Sequence, residues 1–261
     1  MTAAFLGAVC RKKFGFSAEL LDFRSDAPSS RRTWPRTLEA RATARLVTPT
    51  NVQQNDPTEL LEVFDASGRP TGRARPRAAI HLAGDWHQAF HCWILRRGGQ
   101  EVVLQRRSSL KDTYPGYWDA AAAGHWRFGE SAAEAAREIT EELGLDISFA
   151  DLAYRGRERA SQHFANGLID REFHQVYVLE LDQPLSCYRP DRNEVMAVAA
   201  FPSRELVQVA ASQQARVAAI EAVRVAVDGR LSSAQVVISR SDMVPYSAAR
   251  LRRMLGKGQG S

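Results

Sequence analysis

A chain of 261 residues with 44% apolar and 25% charged side chains has the balance of a folded globular protein, enough for one domain with extensions or two small ones. No stretch approaches the ~18 consecutive apolar residues that would cross a bilayer, so no transmembrane helix and no membrane partner are expected. The net charge of +5 resides in residues 1–50, which hold nine Lys/Arg against four Asp/Glu. The remainder is balanced, which excludes an extended basic face for nucleic acid.

Residues 1–55 show no sustained apolar period and contain Pro28, Ser29, Ser30 and Pro35, which predicts a basic, disordered leader. Its first apolar residues lack a preceding charged region, against a secretory signal, and Glu19, Asp22, Asp26 and Glu39 weaken a transit-peptide reading. A domain over 56–204 follows. Strands are predicted over Glu59–Phe64, Ala89–Leu95 and Glu101–Gln105, with turns at 65–72 and at Gly98-Gly99. The 112–118 segment, with Pro115-Gly116, reads as a loop, and Trp118–Ala123 as a short strand. Further strands are predicted over Glu172–Leu181 and Val195–Phe201. From Ser203 the Ala/Val-rich run through Val227 reads as helix, as does 247–255, so residues 205–261 form a helical C-terminal extension. Cys10, Cys92 and Cys187 are odd in number and lack metal-ligand spacing, favouring unpaired thiols and a reducing, cytoplasmic setting.

The chemistry concentrates between residues 124 and 145. Ser131 with Glu134 three residues on is a capping box, so a helix starts there. Ala132, Ala136, Ile139 and Leu143 give it a narrow apolar stripe, and Gly144 suits a left-handed C-terminal cap. Glu138, Glu141 and Glu142 stand at i, i+3 and i+4, which places three carboxylates on another face of the same helix. Their mutual repulsion becomes ligation when a hard divalent cation, Mg²⁺ or Mn²⁺, binds.

This segment resembles the signature box of the Nudix hydrolases, which runs Gly, five residues, Glu, seven residues, Arg-Glu, apolar, any, Glu-Glu, any, Gly, apolar. Gly124, Glu130, Arg137-Glu138-Ile139 and Glu141-Glu142-Leu143-Gly144-Leu145 fit it, but only six residues separate Glu130 from Arg137. The resemblance implies an α/β/α sandwich around a mixed sheet, with Gly124, Glu130, Arg137 and Gly144 as structural positions. In the family that Glu and Arg brace the loop against the helix, and the missing residue alters the brace.

The flanks are similar to isopentenyl-diphosphate isomerase, of the same superfold, through 77–81, 86–90, the Pro115-Gly116-Tyr117-Trp118 loop, Gly124-His125 and Asp170-Arg171-Glu172-Phe173. That resemblance implies a metal set of His81, His87, His125 and Glu172 with Asp170 as second carboxylate. His81 and His87 lie six apart rather than the seven of that enzyme, which puts joint ligation in doubt. The catalytic cysteine of the isomerase falls at Ala123, which cannot supply a thiol. The remaining histidines, His91 and His174, read as packing residues beside strands. Arg77, Arg106, Arg107 and Lys111 are candidate diphosphate-binding cations.

The expected activity is therefore metal-dependent hydrolysis of a diphosphate linked to another moiety, such as a nucleoside diphosphate derivative. Glu138, Glu141 and Glu142 are the expected ligands, and one of them, or Glu172 or Glu194, the general base. The alternatives are an isomerase-like enzyme and a Nudix domain that binds a diphosphate without turnover.

Overall fold

The computed structural model describes residues 59–256. The leader expected over 1–55 lies outside them. In chain order the elements are β1 (Leu60–Phe64), β2 (Pro70–Pro76), α1 (Arg77–Ala83), β3 (Trp86–Arg96), β4 (Glu101–Arg107), β5 (Trp118–Asp119) and β6 (Ala122–His125). The box helix follows in two pieces, α2 (Ala132–Ala135) and α3 (Arg137–Leu143). Then come β7 (Ala153–His163), β8 (Ile169–Glu180), β9 (Val195–Pro202) and α4 (Ser203–Ala211). Four short strands, β10 (Arg216–Ala218), β11 (Glu221–Val225), β12 (Leu231–Ser233) and β13 (Val237–Ser239), lead to α5 (Ala248–Leu255).

The long strand β3 organises the molecule. It pairs in parallel with β8 along most of its length and antiparallel with β4 at one end and β6 at the other. The main sheet runs β12-β11-β9-β4-β3-β1-β2, with β5, β6, β7 and β8 branching from it. Side chains alternate across a strand, and the two cores follow that alternation. Trp93, Leu95, Val102 and Leu104 pack on one face with Leu206 and Val209 of α4 and Leu251 and Met254 of α5. Phe90, Cys92, Ile94 and Val103 pack on the other with Ala135, Ile139 and Leu143 of the box helix. Helices therefore cover both faces of a mixed sheet, as the resemblance implied. Cys92 is a free thiol, buried in the core.

Two readings of the chain need correction, and one strand carried no reading. The helix predicted from Ser203 through Val227 ends at Ala211. Beyond it Ala222 and Val223 are buried in β11, because the edge of β9 accepts it in antiparallel pairing, and Val217 is buried in β10, which pairs with β13. A short apolar run of Ala and Val satisfies a strand as well as a helix, and pairing decides. Strand β7 carries no buried residue and pairs with β8 alone, so its polar sequence held no core signal. Finally, residues 70–72, read within the 65–72 turn, belong to the strand β2 that folds back on β1.

Candidate active site

Helix α3 is amphipathic in the sense the stripe predicted. Ile139 and Leu143 are buried in the core, while Glu138 and Glu142 share the face toward a cleft of about 540 Å³. Glu138 and Glu142 are themselves buried, at 9% and 1% exposure, and Glu141 at the rim is exposed. Glu142 accepts hydrogen bonds from Gln105 Nε2 at 2.7 Å, the Ala123 N–H at 2.9 Å and Lys111 Nζ at 3.2 Å. Lys111 also contacts Glu194. Burial pushes Glu138 up to about 8, aided by the neighbouring Glu142 charge, and burial likewise raises Glu142 despite Lys111. Two adjacent carboxyls that resist ionisation are what a cation would relieve.

The spacing defect in the box is absorbed in the helix and not in the brace. Arg137 Nε reaches Glu130 Oε1 at 2.8 Å, its Nη2 donates to the His125 carbonyl at 3.2 Å, and Nη1 contacts Glu138 and Glu141. The helix breaks at Ala136 (φ −67°, ψ −7°), where Ile139 N–H bonds back only three residues at 3.1 Å. The expected alteration of the brace is thus replaced by an interrupted helix with the Glu130–Arg137 pair formed. Gly124 lies directly against Glu138: a Cβ there would fall 2.1 Å from the carboxyl carbon.

The histidines converge. His81 sits in the last turn of α1, His87 near the start of β3, and His125 at the end of β6; their ring centroids lie 5.1 to 5.2 Å apart. The six-residue spacing does not keep His81 and His87 apart, because Gly84 ends α1 in the left-handed conformation and turns the chain into β3. One ligand atom from each of the three rings falls within 4.8 Å of the others. The parallel register sets His87 opposite Glu172, and Asp170 two residues earlier shares its face of β8. His87 Nε2 lies 3.6 Å from Asp170 and 3.7 Å from Glu172, and His125 Nε2 lies 3.7 Å from Glu172. His81 Nε2, His87 Nε2 and Asp170 Oδ1 are buried without a hydrogen-bond partner. Buried polar atoms are seldom left so, and three imidazoles with two carboxylates form a donor set for a divalent metal.

The electrostatics of this set are asymmetric. Burial lowers His81 to about 4 and holds His125 well below its usual range, so both stay neutral, the ligating form. Burial and the Glu172 charge raise Asp170 to about 7. Burial would also raise Glu172, but the hydrogen bond from His174 and the nearby His87 imidazole hold it well below the usual carboxylate range.

Of the candidate cations, Arg77, Arg107 and Lys111 line the cleft and Arg106 does not. Neighbours on β4 face opposite ways; Arg106 donates to the Gly116 carbonyl at 3.0 Å, and Arg107 is spent on Thr113 and on Asp119 at 3.0 Å. His91 and His174, read as packing residues, line the cleft with rings stacked 3.9 Å apart. Their spacing from His87 and Glu172, in steps of two along strands, was the signal that placed them on the same face. Tyr246 and Arg250, from the C-terminal segment, also line the cleft, and no motif announced them.

The fold is a mixed sheet between helical layers, with helix carboxylates and buried imidazoles opening on one cleft. The NUDIX domain family matches residues 85–222, and the chain belongs to the Nudix hydrolase family. It is 33% identical to an uncharacterised Nudix hydrolase of Clostridium acetobutylicum over 190 residues, 72% of this chain and 91% of that one. It is 34% identical to the isopentenyl-diphosphate Delta-isomerase of Cutibacterium acnes over 168 residues, 60% of this chain and 80% of that one. A crystal structure of a Deinococcus radiodurans protein is similar at 21% identity with a TM-score of 0.45, covering 60% of this chain and 91% of that one. Among the described residues no helix is long and apolar enough to cross a membrane.

Proposed function

We propose that this chain hydrolyses a small organic diphosphate, a nucleoside diphosphate derivative or a similar compound, with Mg²⁺ or Mn²⁺ bound in the cleft. The observation that carries this reading is the buried pair Glu138 and Glu142, facing the same cleft as Arg77 and Lys111. A bound divalent ion would neutralise developing phosphate charge and lower the pKa of an attacking water. Glu138, Glu141 and Glu142 would hold it on the helix side, and His81, His87, His125, Asp170 and Glu172 would hold a second ion on the sheet side. Lys111, freed from Glu142 when a cation takes that carboxylate, would turn to a phosphate oxygen. Arg77, which lines the cleft and is held by Asp112 at 3.3 Å, would supply a second cation for the phosphates. Glu194 would accept the water proton. Catalysis of this kind rests on positioning and electrostatics.

A second reading, isomerisation of an isopentenyl diphosphate, is favoured by the histidine–carboxylate set. Against it, Ala123 lines the cleft where a thiol is needed, and the free Cys92 lies wholly in the core, its thiol pushed up to about 12 by burial. The deciding experiment is turnover of a panel of diphosphates with Mg²⁺, Mn²⁺ or chelator. Metal-dependent phosphate or phosphomonoester release supports hydrolysis. Allylic product from isopentenyl diphosphate would replace it with the second reading, and tight binding without turnover would leave a diphosphate-binding domain.

A further inference from the structure

Glu172 has two oxygens in two environments. Oε1 faces His87 and His125 at 3.7 Å each, whereas Oε2 meets His174 Nε2 at 2.7 Å. The other ring nitrogen of His174, Nδ1, meets Arg250 Nη2. A guanidinium can only donate, so Nδ1 accepts, and the proton of the neutral ring sits on Nε2, from which it donates to Glu172. Arg250 is itself fixed: it contacts Glu158 of β7, and its guanidinium carbon lies 4.7 Å from the centre of the Tyr246 ring. Arg253, one turn on in α5, reaches the same Glu158 at 2.7 Å but not His174.

We propose that Arg250 is a positioning residue which, through the tautomer of His174, holds Glu172 with Oε2 occupied and Oε1 turned to the three histidines. The C-terminal helix would thereby set the geometry of the sheet-side metal site. Hydrogen-bond partners behind a ligand ordinarily tune metal affinity about 10- to 100-fold. The inference rests on the reading that Glu172 holds a cation. The same geometry speaks against a second cation between His91, Glu172 and His174, although their ligand atoms cluster within 4.8 Å. A metal on His174 Nε2 would displace its proton, and Arg250 blocks transfer of that proton to Nδ1.

The test uses the full chain, freed of metal and titrated with Mn²⁺ by calorimetry. Arg250→Leu and His174→Ala should each weaken the Mn²⁺ equivalent that His81→Ala abolishes, by about 10- to 100-fold. The double variant should be no weaker than His174→Ala alone, and Arg253→Leu should match the wild type. Nitrogen NMR of the metal-free wild type, which needs no variant to fold, should show His174 protonated at Nε2 and bare at Nδ1. A proton on Nδ1, unchanged affinity in Arg250→Leu, additive losses in the double variant, or an equivalent abolished by His91→Ala but not by His81→Ala would each overturn the proposal. If the wild type binds no Mn²⁺ at all, the metal reading itself falls and the proposal with it. Binding in the wild type that Arg250→Leu leaves untouched removes the proposal alone.

Discussion

Gly124 and Glu138 meet so closely that neither can be understood alone. A methyl at residue 124 would drive into the Glu138 carboxyl, which is boxed in by Arg137 and Glu142. Gly124→Ala should therefore retain the fold, at a cost of about 1–3 kcal/mol, while lowering turnover at least tenfold. Thermal melting and steady-state kinetics check the two halves; full activity would remove Glu138 from the site. The raised Glu138 carboxyl makes a further prediction about pH. Its unfolded value is 4.5 and its metal-free folded value about 8, so the folded state binds this proton more tightly. The resulting stability is complete below about pH 4.5 and is lost as pH rises through about 8. Glu138→Gln should thus melt progressively higher than the metal-free wild type between pH 6 and 8, and turn over about a hundredfold more slowly. A melting difference independent of pH would contradict the assignment of the shift to this residue.

At the scale of the element, α3 shows how local signals and packing agree. The apolar stripe, the capping box and the terminal glycine all describe the observed helix. Gly144 has φ +62°, and a Cβ on it would lie 2.3 Å from the Arg189 carbonyl oxygen. That neighbour is backbone and cannot swing away. Gly144→Ala should cost more than the ~1 kcal/mol of the left-handed conformation alone, measured by urea denaturation, whereas Thr140→Ala on the exposed face should cost less. Equal costs would show that α3 is free to move off the 189 segment. The break at Ala136 was not legible, because a missing residue in a pattern does not say whether the loop, the brace or the helix absorbs it. Here the Arg137 hydrogen bonds to Glu130 and the His125 carbonyl outweigh one helical turn.

Across the whole molecule, the cleft is assembled from α1, β3, β6, α3, β8 and α5, so a ligand spanning it should bind the folded state alone. Mn²⁺ at about a hundred times its Kd should stabilise the wild type by ~2.7 kcal/mol. His87→Ala, which removes a wholly buried ligand candidate, should cancel most of that gain while metal-free stability changes less. An equal Mn²⁺ gain in both proteins would place the ion elsewhere.

The residues 124–145 by themselves determined the family, the helix and its three carboxylates, because capping, periodicity and i, i+4 spacing are local properties. Strands with buried apolar runs, such as β3, β4, β8 and β9, were legible for the same reason. The tertiary structure alone decided the rest. Parallel pairing of β3 with β8 set His87 against Glu172 from positions far apart in the chain. The turn at Gly84 brought His81 to both of them, where spacing had suggested separation. Strand alternation turned Arg106 away from the cleft and carried His91 and His174 into it. Docking of α5 on the sheet added Arg250 to the wall, a placement set by the buried Leu251 and Met254 and by no motif around Arg250 itself.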